Sequence, residues 1–555
     1  MVANSMVARG TNKNSCLTRI AAGKPKNSRF AFTSCLVSLA FSIVLIHLQC
    51  FAEETVSKRA ESDYYRIVTI STSQALSDSR SKNWKPAPDS LALEVSGMAL
   101  LEDSRLAVAI RKGEVWLMSN VYDEPPDKVA YHRFASGLHE PLGLLRHHGS
   151  LLTVQRAEMT RLIDLDGDDI CDDYQTVATG WGVTGNYHEY AFGPKMDGAG
   201  NLWLTLNLGL GLKGEQQSFA RTNKTLGVSQ GLWRGWGMML TPGGDLKPMC
   251  AGMRSPSGLG TNLEGDMFYS DQQGNWVAAN SIHHLRSGAF FHHPDSLASV
   301  DHDESPIGPV SEIPDGLPFP EALKRLPIIK PPAVWLPYKK VGQSATDIMV
   351  DASGGKFGPF VGQLFVGEFT QSSINRVYLE NIEGEYQGAC FPFRDGFASA
   401  VLRMLQGSDG SVFVGLSNRG WSSLGPASYG LQRLIWTGQV PMEIKEMRAQ
   451  PDGFELVFTK PVDKVAAGDV NSYALTSHTY RYQSQYGSDE ILEKSLAITG
   501  VVVSADGLRV HLTAGPLRQH FVHSLHANGV RSIEGEKLLH ANAYYTLNRI
   551  PTIVR

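Results

Sequence analysis

Between residues 184 and 194 the chain reads Thr-Gly-Asn-Tyr-His-Glu-Tyr-Ala-Phe-Gly-Pro. A Gly-Asn turn precedes His188, and a short apolar run that reads as a strand follows it. A histidine at the mouth of a strand can act as a base, a metal ligand or a polar anchor, because a neutral imidazole offers one donor and one acceptor. A second stretch with chemistry in it is residues 164–175, Asp-Leu-Asp-Gly-Asp-Asp-Ile-Cys-Asp-Asp-Tyr-Gln. Asp164, Asp166, Asp168 and Asp172 fall at loop positions 1, 3, 5 and 9, and the Ile170 carbonyl at position 7. With that spacing a turn presents oxygens to calcium, in a structural role. Gln175 stands at position 12 in place of the usual Glu, so a solvated acidic turn is the rival reading.

Other reactive residues read as structure. His283, His284, His292, His293 and His302 do not have the spacing of a zinc set. Trp181, Trp233, Trp236, Trp276, Trp335 and Trp421 lie near strand ends or insertions, where they could stack on sugars or pack strands together. No Gly-x-Ser-x-Gly supports a serine hydrolase.

A repeated unit must position these groups. Ser96-Gly97-Met98-Ala99-Leu100-Leu101 leads to a turn at Asp103, to a strand at residues 105–109, to a Lys-Gly turn and to a strand at residues 113–117. That is a meander of near-alternating apolar strands. Similar units open at residues 140–144, 188–193, 254–259, 344–348 and 398–404. Six four-stranded meanders over residues 94–436, with irregular insertions, predict an all-β, six-bladed β-propeller at residues 86–437. Blades packed face to face bury both sides of sheets that cannot do so alone. The residues just before each inner strand then line the mouth of a central channel, where a ligand would sit. Two insertions, at residues 208–231 and 290–337, could cap that face.

Residues 438–555 change pattern to short alternating strands and predict a C-terminal immunoglobulin-like β-sandwich. Upstream, residues 1–52 contain no Asp or Glu, carry six Lys or Arg, and end in an uncharged apolar run. This is the order of a signal peptide, with an uncleaved membrane anchor at residues 30–49 as the alternative. Export to the periplasm or the exterior follows either way, with membrane contact only through that segment. Residues 53–85 read as a linker or lead-in strand. After cleavage Cys171, Cys250 and Cys390 remain, enough for one bridge at most. A net charge of −4 spread over 555 residues offers no basic field for nucleic acid.

Three stretches, Gly252-Met253-Arg254-Ser255-Pro256-Ser257-Gly258-Leu259, Ser270-Asp271-Gln272-Gln273-Gly274-Asn275 and Tyr187-His188-Glu189, carry a family resemblance. Over residues 85–437 the chain resembles the soluble quinoprotein glucose/sorbosone dehydrogenase-like propellers, as found in secreted bacterial propeller proteins. The resemblance implies an oxidoreductase dependent on pyrroloquinoline quinone (PQQ) and calcium. It implies a sugar or other small polyol or aldehyde as substrate, and an electron-accepting partner. It implies His188 as the base that takes the sugar hydroxyl proton. Arg254 and Ser255 would lie beside the quinone, and Gln272, Gln273 and Gly274 would supply oxygens to the calcium. Arg419, in the sixth unit, would add a cation. Ser255 stands where those enzymes carry Asn, and Thr370 where a quinone-binding lysine is expected. The alternative is a non-catalytic propeller that binds carbohydrate or a partner protein.

Overall fold

The computed structural model describes residues 60–70, 91–209, 231–310 and 312–552. The expected signal or anchor segment and most of residues 53–85 lie outside the described residues, as do residues 210–230 of the first insertion. None of the described helices is long and apolar enough to cross a membrane.

The chain is all-β and propeller-type. Five four-stranded antiparallel sheets stand by themselves. Their first strands are Val95–Leu100, Leu145–His147, Ala191–Met196, Gly258–Thr261 and Val401–Gln406. A further four-strand set, from Ala345–Val350 to Glu385–Arg394, runs on without a break into the C-terminal strands. Each unit packs on the next, and the last returns to the first. The stretch read as linker or lead-in supplies a strand, Tyr65–Ile70, which pairs with Tyr429–Trp436 as the outermost strand of the last sheet. The ends of the ring are thereby joined by hydrogen bonds.

Most first strands are buried over their leading residues; Val95–Leu100 is enclosed along nearly its whole length, whereas the short Leu145–His147 is half-buried. Small residues make this approach feasible. A Cβ on Gly97 would come 2.4 Å from the Gly143 carbonyl carbon, and one on Gly258 would come 1.9 Å from the Thr346 oxygen. Neighbouring inner strands therefore touch backbone to backbone.

The axis is not an open channel. Arg403, almost fully buried, fills it. Its Nε donates to Ser96 O (3.0 Å), Nη1 to Leu402 O (2.8 Å) and Ser257 O (3.1 Å), and Nη2 to Leu142 O (3.2 Å). Its guanidinium carbon lies 5.5 Å from the centre of the Phe192 ring. These partners come from four units besides its own. About 20 Å³ of space remains around it, room for one water. What was expected as a channel mouth is a closed-bottomed depression.

The C-terminal strands form two layers that share one long strand. Ile491–Val503 pairs through its first half with Ala474–Thr479 and through its second half with Arg509–Gly515. Phe454, Leu456, Val510, Leu512, Leu525 and Tyr545 fill the space between the layers. The last strand, Asn542–Leu547, also pairs with Glu385–Arg394, so the C-terminal layers and the propeller share one sheet. The insertion at residues 290–337 packs over the rim beside Gly252 and Trp233, and against Tyr480 and Tyr482 of the C-terminal part. Cys171, Cys250 and Cys390 are free thiols.

His540 ties these parts together. Its Nδ1 meets Glu443 Oε1 at 2.6 Å and its Nε2 meets Glu61 Oε1 at 2.9 Å. Burial opposes a charge on the ring, but the two carboxylates outweigh it and push the pKa up to about 9. Burial would raise Glu61, but the hydrogen bond from His540 outweighs it and holds that carboxyl below its usual value. A raised histidine contributes its full stability below its unfolded value near 6.5 and loses it as pH rises through about 9. A lowered glutamate contributes above its unfolded value of 4.5 and loses it as pH falls. The clamp is therefore strongest between pH 4.5 and 6.5. His540→Gln should lower the melting temperature by several degrees at pH 6. The difference from wild type should shrink toward pH 9.5; a difference constant with pH would remove the charged clamp.

Candidate functional site

Antiparallel order dictates which turns share a face. In each unit the chain enters the first strand from one face, and the second strand brings it back there. The residues just past the second strands are Arg111 and Lys112, Arg156, Asn207, Gln272, Thr370 and Arg419 in the six units. All stand on the face where His188 precedes Ala191–Met196.

His188 sits in a pinned loop. Its amide donates to Asn186 Oδ1 (3.0 Å), and its carbonyl accepts from Asn207 Nδ2 (2.7 Å). Buried Glu189 holds the loop from below, accepting from Thr184 N (2.6 Å) and Gly231 N (2.9 Å). The ring is partly buried, and its Nε2 lies 2.5 Å from the Tyr187 hydroxyl. Burial, then the positive fields of Arg254, Arg419 and Arg156, push its pKa down to about 4. The imidazole is neutral at neutral pH and able to accept a proton.

Beside it, Glu140 gathers three arginines. Arg156 Nε lies 2.7 Å from Glu140 Oε2, and Arg111 Nη1 and Arg419 Nη2 lie 3.3 and 3.4 Å from Oε1. Arg156 also donates to the carbonyls of Asn186 (3.3 Å) and Tyr187 (2.7 Å). Tyr190 lies between two guanidiniums, with the carbon of Arg156 5.0 Å and that of Arg419 4.2 Å from its ring centre. Glu140 and Arg419 both adopt left-handed backbone, at φ 52° and 53°. Non-glycine residues accept that cost where the surroundings fix them, commonly at sites of function. An open cleft of about 730 Å³ lies over this cluster.

Arg254 is buried. Its amide and that of Ser255 donate to Asp271 at 2.9 and 2.8 Å, and its Nη1 lies 3.2 Å from Ser255 Oγ. Burial raises the Asp271 carboxyl to about 6, against these backbone hydrogen bonds. Gly274 lets the arginine pass, since a Cβ there would stand 1.8 Å from Arg254 Nε. The exposed ring of Tyr486, from the C-terminal part, lies 5.5 Å from its guanidinium carbon.

The structure thus brings His188, Arg254 and Arg419 to one face and uses other expected residues differently. Gln272 Nε2 donates to Ala345 O (3.2 Å), and Gln273 Nε2 to Ala278 O (3.1 Å). The Gly274 carbonyl accepts from Gly487 N at 2.9 Å. Asp271 is taken up by three backbone amides. That loop is braced by the C-terminal part, and its one carboxylate is engaged by backbone amides. Thr370 Oγ1 meets Ser344 Oγ at 3.2 Å.

The acidic turn lies at the opposite end of its sheet, between Glu158–Ile163 and Asp173–Thr179. Oxygens of Asp164, Asp166 and Asp172 lie within 4.8 Å of one another. Asp168 accepts from Ile170 N instead, and Asp169 is held by Arg105 at 2.7 and 2.9 Å. His283 and His292 are fully buried, 3.1 Å apart through their Nε2 atoms, and burial keeps both neutral. They are core residues.

Arg111 and Arg156 were not anticipated. The available signal is positional: like Arg419, each stands within two residues of the end of its unit's second strand.

Residues 123–380 match a family model described as a domain of unknown function, DUF7133. A comparison with curated proteins returned no match. Among solved structures, an oxidoreductase (glucose dehydrogenase) from Thermus thermophilus is 17% identical, with TM-score 0.43, covering 62% of this chain and 97% of that one. The PQQ-bound aldose sugar dehydrogenase from Streptomyces coelicolor is 11% identical, with TM-score 0.42, covering 67% and 98%. The soluble aldose sugar dehydrogenase from Escherichia coli is 14% identical, with TM-score 0.40, covering 62% and 96%. The chain, propeller-type by its own sheet topology, is similar to these soluble glucose and aldose sugar dehydrogenases.

Proposed function

We propose that the chain is an exported, six-bladed propeller oxidoreductase, with an immunoglobulin-like C-terminal sandwich, that oxidises a sugar or small polyol with a quinone cofactor. The observation that carries this reading is a neutral histidine within the field of three guanidiniums, His188 among Arg254, Arg419 and Arg156. Those cations suit a poly-carboxylated quinone, because buried anions need charged partners. Arg254, Arg419 and Arg156 would hold PQQ, which when bound supplies the acceptor for hydride. His188 takes the proton of the substrate hydroxyl at Nε2. The exposed Tyr187 hydroxyl, 2.5 Å away, connects that proton to solvent. Arg254 stabilises negative charge as it develops, and its fixed position avoids reorganisation. A calcium ion on the acidic turn at residues 164–172 would be structural, since that turn lies at the far end of the sheet from His188.

A second reading is a propeller that binds carbohydrate without chemistry. It is favoured by Thr370 and by the exposed aromatics Tyr187, Trp421 and Tyr486. One experiment separates the two. Purified protein is mixed with PQQ and assayed for bound quinone absorbance and for dye reduction with aldoses and uronates. Micromolar quinone binding with turnover supports the oxidoreductase; no binding leaves the second reading.

A further inference from the structure

We infer that the cleft beside His188 takes a sugar bearing a carboxylate, a uronate, with Arg111 and Lys112 as its carboxylate-binding pair. This rests on the reading of the same mouth as a sugar site and narrows its substrate class. The cleft is lined by Arg111, Lys112, Glu140, Arg156, Tyr187 and Tyr190. The ion pairs there join four cations, Arg111, Lys112, Arg156 and Arg419, to two anions, Glu94 and Glu140. Arg156 and Arg419 are the cations assigned above to the quinone, which leaves Arg111 and Lys112, both half-buried at the cleft wall, as the pair open to a substrate.

The donors divide by task. Arg156 is bound to Glu140 and two backbone carbonyls, and Arg419 lies over Tyr190. Arg111 uses Nε on Glu94 (2.8 Å) and Nη1 on Glu140 (3.3 Å). Its Nη2 has no hydrogen-bond partner among the described residues. Lys112 Nζ makes one 3.3 Å ion pair, to Glu94. These two side chains therefore retain charged donors at the cleft wall. A guanidinium and an ammonium side by side suit a planar carboxylate. Across the cleft, the exposed ring of Tyr187 packs on His188 at 4.1 Å between centres and offers an apolar face to a pyranose. A uronate can set its carboxylate on Arg111 and Lys112 while a ring hydroxyl faces His188. A neutral hexose offers these two donors no anionic partner.

The test is calorimetric titration of the full chain, without quinone, with galacturonate and with galactose. Galacturonate should bind at least tenfold more tightly at low ionic strength, with the margin narrowing as salt screens the charges. Arg111→Gln/Lys112→Gln should reduce the margin below about twofold. Lys112→Gln alone, which loses a single ion pair, should reduce it severalfold and serves if the double variant does not fold. Equal binding of the two sugars, no binding of either, or a margin unchanged in the variants overturns the proposal. So does a variant that loses PQQ affinity while keeping the uronate preference, since the cleft would then serve the cofactor. Because sugar binding is read without quinone, failure here is separate from failure of dye reduction.

Discussion

Replacing Arg403 by leucine should lower the stability of the chain by about 3–5 kcal/mol, read as the shift in urea-induced unfolding. The side chain makes four hydrogen bonds to backbone carbonyls of Ser96, Leu142, Ser257 and Leu402. All four point into an axis with room for about one water. Leucine would remove the donor that Arg403 gives the Ser96, Ser257 and Leu402 oxygens, while Leu142 O keeps the Gly193 amide at 3.3 Å, and each buried unsatisfied group costs about 1–3 kcal/mol. Burial already lowers the pKa of Arg403, so its charge is carried at some expense and its value lies in the bonds. Arg403→Lys should recover less than half of the loss, because one ammonium cannot reach carbonyls from several directions. A loss below about 1 kcal/mol for Arg403→Leu would mean that inner-strand packing alone holds the ring.

Replacing His188 by alanine should reduce dye-coupled sugar oxidation by about 10²–10⁴-fold, the usual contribution of a positioned base. Quinone affinity should stay within about threefold, because the charged contacts come from Arg254, Arg419 and Arg156 and not from the neutral ring. The pH dependence gives an independent check. Burial and the three guanidiniums hold the His188 pKa at about 4. A lowered pKa leaves the ring in its basic form at every pH above that value. Wild-type kcat/KM should therefore fall as pH drops through about 4, not through 6.5. A limb near 6.5, or an unchanged rate in the alanine variant, would remove His188 as the base.

Parts of this site are legible in single stretches. The turn before His188 and the Arg254-Ser255 segment each stand just ahead of a first strand, and the strand pattern alone places both at one rim. The acidic turn is equally legible as a spacing of carboxylates, and the structure gathers three of them, Asp164, Asp166 and Asp172. The bracing of the loop at Gln272 comes from a distance. Gly487, more than two hundred residues later, supplies the amide that takes the Gly274 carbonyl. Nothing local to Gln272 carries that information.

The sequence by itself determined the periodic alternation that makes meanders, and the change of pattern near residue 437. It also determined which residues stand at first-strand openings, because side-chain alternation and turn chemistry are local properties. Tertiary structure alone decided which turns meet. Arg111, Arg156 and Arg419 converge on Glu140 because three second strands end on the same face of a closed ring. The filling of the axis by Arg403, the neutral state of His188 and the placing of Tyr486 over Arg254 share that cause. Each depends on burial and on charges from distant parts of the chain. Electrostatics and packing act through space, and the order of residues along the chain does not encode those distances until the ring is closed.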